Sequence, residues 1–383
     1  MTANMAKYAV IGAGLSGAAT AWQLATRGHE VALVEQATPG HRGGSSHGSA
    51  RIYRYAYLEH LYTRLVMRAK PLWDELEQLG DTKLITTTGA LDFGEHRHPE
   101  RLADVLADLG VEHELFSVER ATERWPQLVF DTPVLWHPGA GVIDAERAVE
   151  TMVRLAVEHG AQLHTNWTVK SVDRTRSGYR LASSTGEELL AEHVVVCAGG
   201  WLPEILGNLA LPAGFLARMP SLEVWQEQAY HFPYRDAGGA LEGGGWPTFI
   251  YKSGQIQTYG LPGGSDAGHR GQKVAEYNGG KRIGSPSMQD QIVDPANRRR
   301  MVGYVEQHLP GLVPQPYAET TCLFTNTPDE NFVLDRTEGI TLVSPCSGHG
   351  AKFAPLIGAM AADLTSGVGQ TSLVPNEFRV IRD

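Results

Sequence analysis

The sequence predicts a mixed α/β (α+β) fold with at least two domains. Near both ends of the chain, a short apolar run is followed by a glycine-rich turn and then by a helical pattern, which is typical of a sheet covered by helices. A segment rich in aromatic residues and turn signals lies between them and indicates antiparallel strands. The chain has 383 residues, whereas a single hydrophobic core stops growing at roughly 250–300 residues.

The first element is the stretch YAVIGAGLSGAATAWQLATRGHEVALVEQ, which begins with an apolar strand at residues 8–11. Gly12 permits a tight turn, Gly14 lets a pyrophosphate approach the backbone, and Gly17 lets the following helix pack closely on the strand. Glu35 ends the next strand, where it would accept hydrogen bonds from both ribose hydroxyls of an adenosine. The pattern predicts a Rossmann-like dinucleotide site but does not separate FAD from NAD. A glycine-rich turn in a ligand-free protein is the alternative.

The second element is PGHRGGSSHGSARIYRYAY at residues 39–57, where glycine and serine pairs surround His47. A nicotinamide-binding domain would continue here with another strand of the same sheet, whereas small residues suit a backbone laid against a second extended ligand. Arg51 and Arg54 are three residues apart and would point the same way from a helical start. This stretch therefore favours FAD over NAD, with a solvated loop of scattered charge as the alternative.

A helix and a β-meander are predicted next. The stretch VIDAERAVETMVRLAVEHG has Asp144 as an N-cap, apolar residues at helical spacing and Gly160 at its end. The strands after it would return to the central sheet through the buried strand VVVCAGG. Near the carboxyl end, GITLVSPCSGHGAKFAPLIGAMAADL repeats strand, turn and helix, with His349 and Lys352 in the turn. A helix N-terminus beside a lysine suits developing negative charge, although each residue alone is more typical of a structural or solvated position.

The composition disfavours several partners and compartments. Lysine and arginine number 33 against 43 acidic residues, a net charge of −10, which disfavours nucleic acid as a partner. No apolar run approaches the roughly 20 residues that span a membrane, so no membrane association is expected, and the amino terminus carries no signal-peptide pattern. The three cysteines, Cys197, Cys322 and Cys346, have no metal-ligand spacing. We therefore expect no metal site and a reducing, cytoplasmic location.

Taken together, these residues resemble the monomeric sarcosine oxidase and N-methyltryptophan oxidase family of flavoproteins over nearly the whole chain. The resemblance is carried, in this order, by GAGLSG with Glu35, GSSHGSARIYR, CAGGW, YGLP followed by Lys273, CLFTNTPDENFVLD and SGHGAKF. It implies the fold of the D-amino-acid-oxidase-like superfamily, with FAD as the cofactor. It also implies a monomer that acts on a small-molecule amino acid or amine and on O₂.

The resemblance implies a covalent flavin. Cys322 stands where the family attaches the cofactor through a thioether, whereas a lone cysteine before a strand is otherwise typical of a buried small residue. A thiolate is the nucleophile in such chemistry, so a positively charged pocket that lowers the thiol pKa would favour attachment.

Other roles follow from the same resemblance. Arg54 and Lys352 would hold a substrate carboxylate, because a guanidinium fork suits a planar carboxylate and an ammonium adds a point charge. Arg51 would lie over the flavin ring, and Tyr259 would line the substrate pocket. Lys273 would stand where oxygen is activated, since a cation near the reduced ring stabilises superoxide.

Three positions depart from the family pattern. Ala50 stands where members often carry threonine, Phe324 where they carry tyrosine, and Tyr277 where they carry histidine. These changes alter the lining of the substrate pocket more than the flavin site. We therefore expect a secondary-amine acid bulkier than sarcosine, either N-alkylated or cyclic.

The implied activity is that of an FAD-dependent oxidase. It would remove a hydride from the carbon beside a secondary amine, deliver it to flavin N5, and yield an imine and hydrogen peroxide. Two alternatives stay open: a dehydrogenase of the same fold that passes electrons to a quinone or protein acceptor, and a non-catalytic, flavin-binding redox sensor. We expect a discontinuous FAD-binding domain at residues 1–82, 141–219 and 321–383, and a substrate domain with a mostly antiparallel sheet at residues 83–140 and 220–320.

The residues expected to contact FAD lie in these stretches. They are Gly12, Gly14, Leu15, Ser16, Gly17, Glu35, Gln36, Arg42, Ser45, Ser46, His47, Arg51, Val169, Ala198, Gly199, Trp201, Cys322, Gly348, His349, Gly350 and Lys352. The residues expected to act on the substrate or on oxygen are Arg51, Lys273, Arg54, Lys352, Tyr259 and His349.

Overall fold

The computed structural model describes residues 5–235, 245–367 and 374–380. The two termini of the predicted FAD-binding domain, its residues 368–373, and residues 236–244 of the predicted substrate domain lie outside the described residues. Within the described ranges, three β-sheets combine with α-helices, so the predicted mixed α/β fold is confirmed. No helix in these ranges is both long enough and apolar enough to cross a membrane.

The bounds of the elements are as follows. In the described residues the strands are β1 (Ala6–Ile11), β2 (Val31–Val34), β3 (Arg51–Tyr53), β4 (Ile85–Thr87), β5 (Ala90–Phe93), β6 (Glu114–Phe116), β7 (Val134–His137), β8 (Gly141–Ile143), β9 (Gln162–His164), β10 (Val169–Arg174), β11 (Tyr179–Ser183), β12 (Glu188–Val196), β13 (Glu223–Pro233), β14 (Thr248–Lys252), β15 (Gln257–Pro262), β16 (Gly271–Glu276), β17 (Lys281–Ile283), β18 (Ala318–Asn326), β19 (Val333–Thr337) and β20 (Ile340–Ser344). The helices of the same ranges are α1 (Leu15–Thr26), α2 (His60–Gly80), α3 (Pro99–Asp108), α4 (Val118–Arg124), α5 (Ala145–Glu158), α6 (Leu202–Ile205), α7 (Ala213–Leu216), α8 (Pro295–His308) and α9 (Ala354–Ser366).

The first sheet has a parallel centre in the order β9, β2, β1, β12 and β20. Residues 8–11 of β1 are all buried, as expected of a strand covered on both faces. β12 pairs antiparallel with β11 through its first half and parallel with β20 through its second half. The predicted meander therefore consists of β10, β11 and β12, and its last strand joins the centre of the sheet.

Three helices pack together beside this sheet: α1 contacts both α5 and α9. Asp144 caps α5, because its carboxylate accepts a hydrogen bond from the backbone N–H of Arg147 at 3.0 Å. Gly358 of α9 lies so close to α1 that a Cβ there would be 2.5 Å from the carbonyl carbon of Ala19.

The second sheet runs in the order β17, β13, β16, β15, β14, β5, β7 and β6, with β18 on the other edge of β13. Its pairs are antiparallel except β14 with β5, so the predicted mostly antiparallel sheet is confirmed. Its aromatic side chains form a separate core. Tyr230, Phe232 and Phe249 are among its fully buried members.

The chain passes between the two sheets several times. β18 pairs with β13 from Ala318↔His231 to Asn326↔Glu223, and β19 then pairs with β20 in the first sheet. The domain boundary predicted at residue 321 thus falls inside a strand of the second sheet. The domain division itself stays a prediction.

Candidate active site

A cavity of about 930 Å³ lies between the carboxyl ends of β1 and β2 and one face of the second sheet. Ligand cavities in proteins span roughly 300–1,000 Å³, and in α/β sheets they lie at the carboxyl ends of the parallel strands. The residues predicted from the sequence to contact FAD, the substrate or oxygen all line this cavity, with three exceptions: Gly17, Arg42 and His47. Segments more than 300 residues apart in the chain therefore meet at one site.

The turn after β1 is shaped by two glycines. Gly12 has a φ of +93°, in the left-handed region that favours glycine. A Cβ at Gly17 would lie 1.7 Å from the carbonyl oxygen of Gly12, so Gly17 stands behind the turn and allows α1 to start directly against β1. Gly14 and Leu15 face the cavity at the first turn of α1, and the N-terminus of a helix is a favourable place for an anion such as a phosphate.

Glu35 is buried at the end of β2, with 4% of its surface exposed. One carboxylate oxygen accepts the backbone N–H of Ala13 at 2.7 Å and the other accepts that of Ala37 at 3.0 Å. A carboxylate has about four acceptor positions. The two bonds fix its orientation and leave acceptor capacity on the cavity side for hydroxyl groups.

The stretch at residues 39–57 is tied to both sheets by its serines. The backbone N–H of Leu15 donates to Ser46 Oγ at 3.0 Å, and Ser45 Oγ donates to the carbonyl of Leu323 at 2.7 Å. These bonds hold the stretch between the first turn of α1 and the strand β18. The backbone is therefore anchored along the cavity wall.

The helical start expected at Arg51 is wrong, because residues 51–53 pair with β8 as strand β3. The Arg51 guanidinium instead turns back along the chain and donates to the carbonyls of Ser45, His47 and Ala50 at 3.0, 2.6 and 2.9 Å. A local ring of carbonyl acceptors thus fixes this cation on the cavity wall.

Two of the predicted contacts lie off the wall. Arg42 is exposed to solvent. His47 is half-buried with Nδ1 2.8 Å from the carbonyl of Gly44, and burial together with the nearby Arg51 lowers its pKa to about 4. His47 is therefore neutral at pH 7 and supports the loop.

Arg54 and Lys352 both lie close to the ring of one tyrosine. The Arg54 guanidinium lies 4.1 Å from the centre of the Tyr57 ring, and Lys352 Nζ lies 5.6 Å from it. Lys352 Nζ donates to the Tyr57 hydroxyl at 3.1 Å and to the carbonyl of His349 at 2.7 Å. Burial, with Arg54 and Arg97 nearby, holds the Lys352 pKa well below its usual value.

His349 supports this arrangement through both ring nitrogens. Nδ1 shares a hydrogen bond with the Tyr57 hydroxyl at 3.2 Å, and Nε2 lies 3.0 Å from the carbonyl of Glu330. Burial and the neighbouring Lys352 lower the His349 pKa to about 3. The ring is therefore neutral at pH 7 and fixes the turn that carries Lys352.

Arg97 is a cavity residue that the sequence patterns do not reveal. It is buried, donates to Asp92 at 2.6 Å, and shares the carbonyl of Ala56 with Arg54. It comes from the GEHRHPE loop after β5, which carries no motif. The pairing of β5 with β14 in the second sheet brings it to the site.

Lys273 lies at another part of the cavity, on strand β16. Its side chain is buried, and Nζ donates to the carbonyl of Ala50 at 3.4 Å. Burial, with Arg51 as a neighbouring cation, lowers the Lys273 pKa to about 8. The ammonium is still the main form at pH 7.

Two buried residues, Ser49 and His231, and the exposed Asp266 lie near Lys273. Ser49 Oγ donates to the Asp266 carboxylate, and the backbone N–H of Asp266 donates back to Ser49 Oγ at 3.0 Å. His231 is the cross-strand partner of Lys273, is 3% exposed, and has a pKa lowered to about 4 by burial and by Lys273. Sequence patterns do not predict this group, because its residues come from three separate segments of the chain.

Cys322 lines the cavity from the middle of β18. Burial raises the pKa of its thiol, and Arg51 and Lys273 only partly offset that rise. In the protein alone, desolvation of the thiol therefore outweighs the two cations. Glu227, the direct cross-strand partner of Cys322, is also buried, and burial raises its pKa to about 7.

Tyr259 and the three departures from the family pattern form the remaining wall. Burial, together with nearby Cys322, raises the pKa of the Tyr259 hydroxyl. The rings of Tyr277 and Phe324 lie 6.2 Å apart, and both line the cavity, as Ala50 does. The Tyr277 hydroxyl donates to Glu330 at 2.8 Å.

The residues present fit an extended dinucleotide flavin. At one end of the cavity, a helix N-terminus and an oriented carboxylate match a pyrophosphate and a ribose. At the other end, fixed cations surround a space between the sheets. The site is thus that of a flavin-dependent oxidoreductase.

The comparison with protein families agrees: the model of DAO, FAD dependent oxidoreductase, matches residues 7–364, and the chain belongs to this family. Three curated relatives show the predicted resemblance. Monomeric sarcosine oxidase of Streptomyces avermitilis is 30% identical over 369 residues, or 93% of this chain and 92% of the relative. Human peroxisomal sarcosine oxidase is 30% identical over 93% of this chain and 91% of the relative. N-methyl-L-tryptophan oxidase of Yersinia pestis is 30% identical over 92% of this chain and 93% of the relative.

Solved structures share the fold. NikD, an unusual amino acid oxidase essential for nikkomycin biosynthesis, aligns with a TM-score of 0.84 at 23% identity over 97% of this chain and 98% of its own. L-proline dehydrogenase from P. horikoshii aligns with a TM-score of 0.80 at 23% identity over 97% of this chain and 96% of its own. At this identity the likeness supports the fold alone.

Proposed function

We propose that the protein is an FAD-dependent oxidase of a secondary-amine amino acid, N-alkylated or cyclic and bulkier than sarcosine. FAD supplies the hydride acceptor, at flavin N5, and returns the electrons to O₂ as hydrogen peroxide. The chain belongs to the FAD-dependent oxidoreductases, and its relatives include oxidases named for sarcosine and for N-methyl-L-tryptophan. The substrate class is carried over from those names and from the cavity wall.

One observation carries the proposal: Arg54 and Lys352 both lie close to the Tyr57 ring at the cavity, and no carboxylate of the described residues forms an ion pair with either. A half-buried guanidinium and a buried amine without an acidic partner are costly unless a ligand supplies the charge. A substrate carboxylate fits both groups. Held there, it would direct the carbon beside the amine toward the open part of the cavity.

The remaining residues act by position and charge. Arg51, fixed by three backbone carbonyls, places a permanent cation on the cavity wall, where it would stabilise negative charge on a bound flavin. Tyr259 and His349 shape the substrate pocket. The proposal assigns no general base, since a neutral secondary amine can lose a hydride without one.

Lys273 is the proposed site of oxygen activation. Its pKa of about 8, lowered by burial and by Arg51, keeps it mostly protonated at pH 7. A buried cation stabilises superoxide as it forms. This role favours an oxidase over a dehydrogenase that uses a quinone or protein acceptor.

Cys322 is the proposed covalent attachment point of FAD. Its thiol lines the cavity from β18, and Lys273 and Tyr259 are among its neighbours. Because burial raises the thiol pKa in the protein alone, the bound flavin and the nearby cations would have to favour the thiolate for attachment to occur. A monomeric, cytoplasmic enzyme completes the proposal, in keeping with three cysteines free of disulfide bonds in the described residues.

The test is steady-state oxygen consumption by the purified yellow protein with a panel of N-methyl, N-ethyl and cyclic amino acids. The proposal predicts one equivalent of hydrogen peroxide for each substrate oxidised. Turnover with an artificial dye but none with O₂ would favour the dehydrogenase. Flavin that no amine reduces, even without oxygen, would favour the redox sensor.

A further inference from the structure

Lys252 is a cationic residue of the cavity wall that has no role in the proposed reaction. It is the last residue of β14, is half-buried, and lines the cavity. Its ammonium forms no ion pair with an acidic residue in the described ranges, and it lies 5.2 Å from the centre of the Tyr277 ring. A lysine on a protein surface is hydrated or forms an ion pair with an acidic side chain. Lys252 instead lies beside an aromatic ring and two other cationic side chains.

The charges around Lys252 leave an excess of positive charge. Arg54 and Arg97 face it and, after burial, are the largest causes of its lowered pKa, while Glu330 and Asp92 act in the opposite direction. Asp92 already binds Arg97 at 2.6 Å.

The other acids at this end are also engaged or exposed to solvent. Glu330 accepts the Tyr277 hydroxyl at 2.8 Å. Glu59 is exposed, and Asp329 binds the amide of Asn331. One carboxylate on a substrate would offset the pair formed by Arg54 and Lys352. Lys252 would then still have no acidic side chain of the described residues at ion-pair distance, and the charge of Glu330 offsets its own only in part.

We propose that Lys252 binds a second anionic group of the substrate, so that the pocket selects a secondary-amine amino acid with an additional carboxylate. The inference rests on the proposed function, because it places the first carboxylate at Arg54 and Lys352. The flexible four-carbon stem of lysine lets the charge follow side chains of different length. Tyr277 forms the wall beneath the ammonium, at the position where the family carries histidine.

The first experiment compares isosteric substrates on the wild-type holoenzyme. N-methyl-L-glutamate and N-methyl-L-glutamine differ only by a carboxylate against a carboxamide, as do N-methyl-L-aspartate and N-methyl-L-asparagine. We expect kcat/KM to favour the acid by about tenfold or more in at least one pair, which corresponds to about 1.4 kcal/mol. Equal values in both pairs, or a preference for the amides, would overturn the inference.

The second experiment changes the lysine. Lys252→Met should remove the preference for the acid while leaving kcat/KM for the amides within about twofold, and Lys252→Arg should restore much of it. Lys70→Met, which removes a charge from the exposed face of α2, is the matched control and should leave the ratio unchanged. A Lys252→Met enzyme that keeps the acid preference would contradict the assignment.

Dead-end ligands separate this inference from the proposed function without any turnover. Glutarate and butyrate, titrated against the flavin absorbance, report binding of a dicarboxylate and of a monocarboxylate. The inference predicts that Lys252→Met weakens the binding of glutarate by about tenfold and leaves the binding of butyrate unchanged, whereas Arg54→Met weakens the binding of both. If Arg54→Met weakens the binding of both ligands but Lys252→Met weakens the binding of neither, the proposed Lys252 subsite is wrong and the carboxylate site at Arg54 and Lys352 stands. If neither ligand perturbs the flavin in the wild type, both the carboxylate site and the inference fail.

Discussion

The two ends of the cavity differ in the groups that line them. The end beside β1 and β2 consists of glycine backbone, two serines and one carboxylate, all held by backbone hydrogen bonds. The end beside the second sheet consists of long charged and aromatic side chains, and Arg54, Lys352 and Lys273 come from three distant segments. The comparison teaches that the first end depends on close backbone approach, while the second depends on where the fold places charge. Changes at the first should remove the cofactor, and changes at the second should alter turnover.

The largest effect is expected at Gly17. Gly17→Ala places a Cβ 1.7 Å from the carbonyl oxygen of Gly12, so α1 has to move away from β1. We expect a loss of about 3 kcal/mol or more in unfolding free energy and loss of most bound FAD, measured by denaturant unfolding and by flavin absorbance. Gly207→Ala, where a Cβ meets nothing within 4 Å, is the control. A yellow, fully stable Gly17→Ala protein would show that the turn does not need this close contact.

Covalent attachment should be lost completely in one cysteine variant. Cys322→Ser is expected to bind FAD that acid denaturation releases, whereas the wild type keeps the flavin mass on the polypeptide. Cys346→Ser is a demanding control, because Cys346 also lines the cavity. Intact-protein mass spectrometry decides between them. If the wild type releases all its flavin, or if Cys346→Ser is the variant that does so, Cys322 is not the attachment residue.

Lys273→Met should separate the two half-reactions. Removing the buried ammonium should slow reoxidation of the reduced flavin by O₂ by about 100-fold or more, while anaerobic reduction by substrate changes much less. Rapid-mixing absorbance measures both rates. Reoxidation by ferricyanide, which needs no stabilised superoxide, should remain near the wild-type rate. Equal slowing of both half-reactions would instead place Lys273 in substrate binding or in the fold.

A smaller effect concerns pH. Burial, Arg54 and Arg97 hold the Lys352 pKa well below its usual value, so the amine of the empty site is neutral above that lowered pKa. A bound carboxylate favours the charged form, so binding raises the pKa and takes up a proton. Affinity for butyrate should therefore fall as pH rises, by up to about tenfold per unit.

Calorimetry in two buffers of different ionisation enthalpy measures the proton uptake directly. Lys352→Met should abolish the proton uptake. Binding of butyrate without proton uptake in the wild type would mean that Lys352 is already charged in the empty site.

The sequence predicts the first end of the cavity better than the second, for a physical reason. Gly12, Gly14, Gly17 and Glu35 are local in the chain, and each spacing reflects a backbone contact within one strand, turn and helix. The mixed fold, the meander and the mostly antiparallel second sheet follow from similarly local patterns.

The second end depends on pairings that no local pattern contains. Arg97 reaches the site because β5 pairs with β14 in the second sheet, and His231 lies beside Lys273 because β13 pairs with β16. The helical start expected at Arg51 is wrong because pairing with β8 draws this segment into a strand. The thiol pKa of Cys322 depends on burial, which the resemblance to a family does not supply.

The central claim is that Arg54 and Lys352 recognise a substrate carboxylate. Its most direct test is the kcat/KM of the best N-methyl amino acid relative to the matching amine that lacks the carboxylate, in the wild type and in Arg54→Met. Losing one partner of a partly buried carboxylate costs about 2–5 kcal/mol, so we expect Arg54→Met to lower kcat/KM for the acid by roughly 30-fold or more. The amine should change little, and the flavin spectrum should stay native. A wild type that oxidises acid and amine equally well, with neither affected by Arg54→Met, would contradict the claim and make the substrate a simple amine.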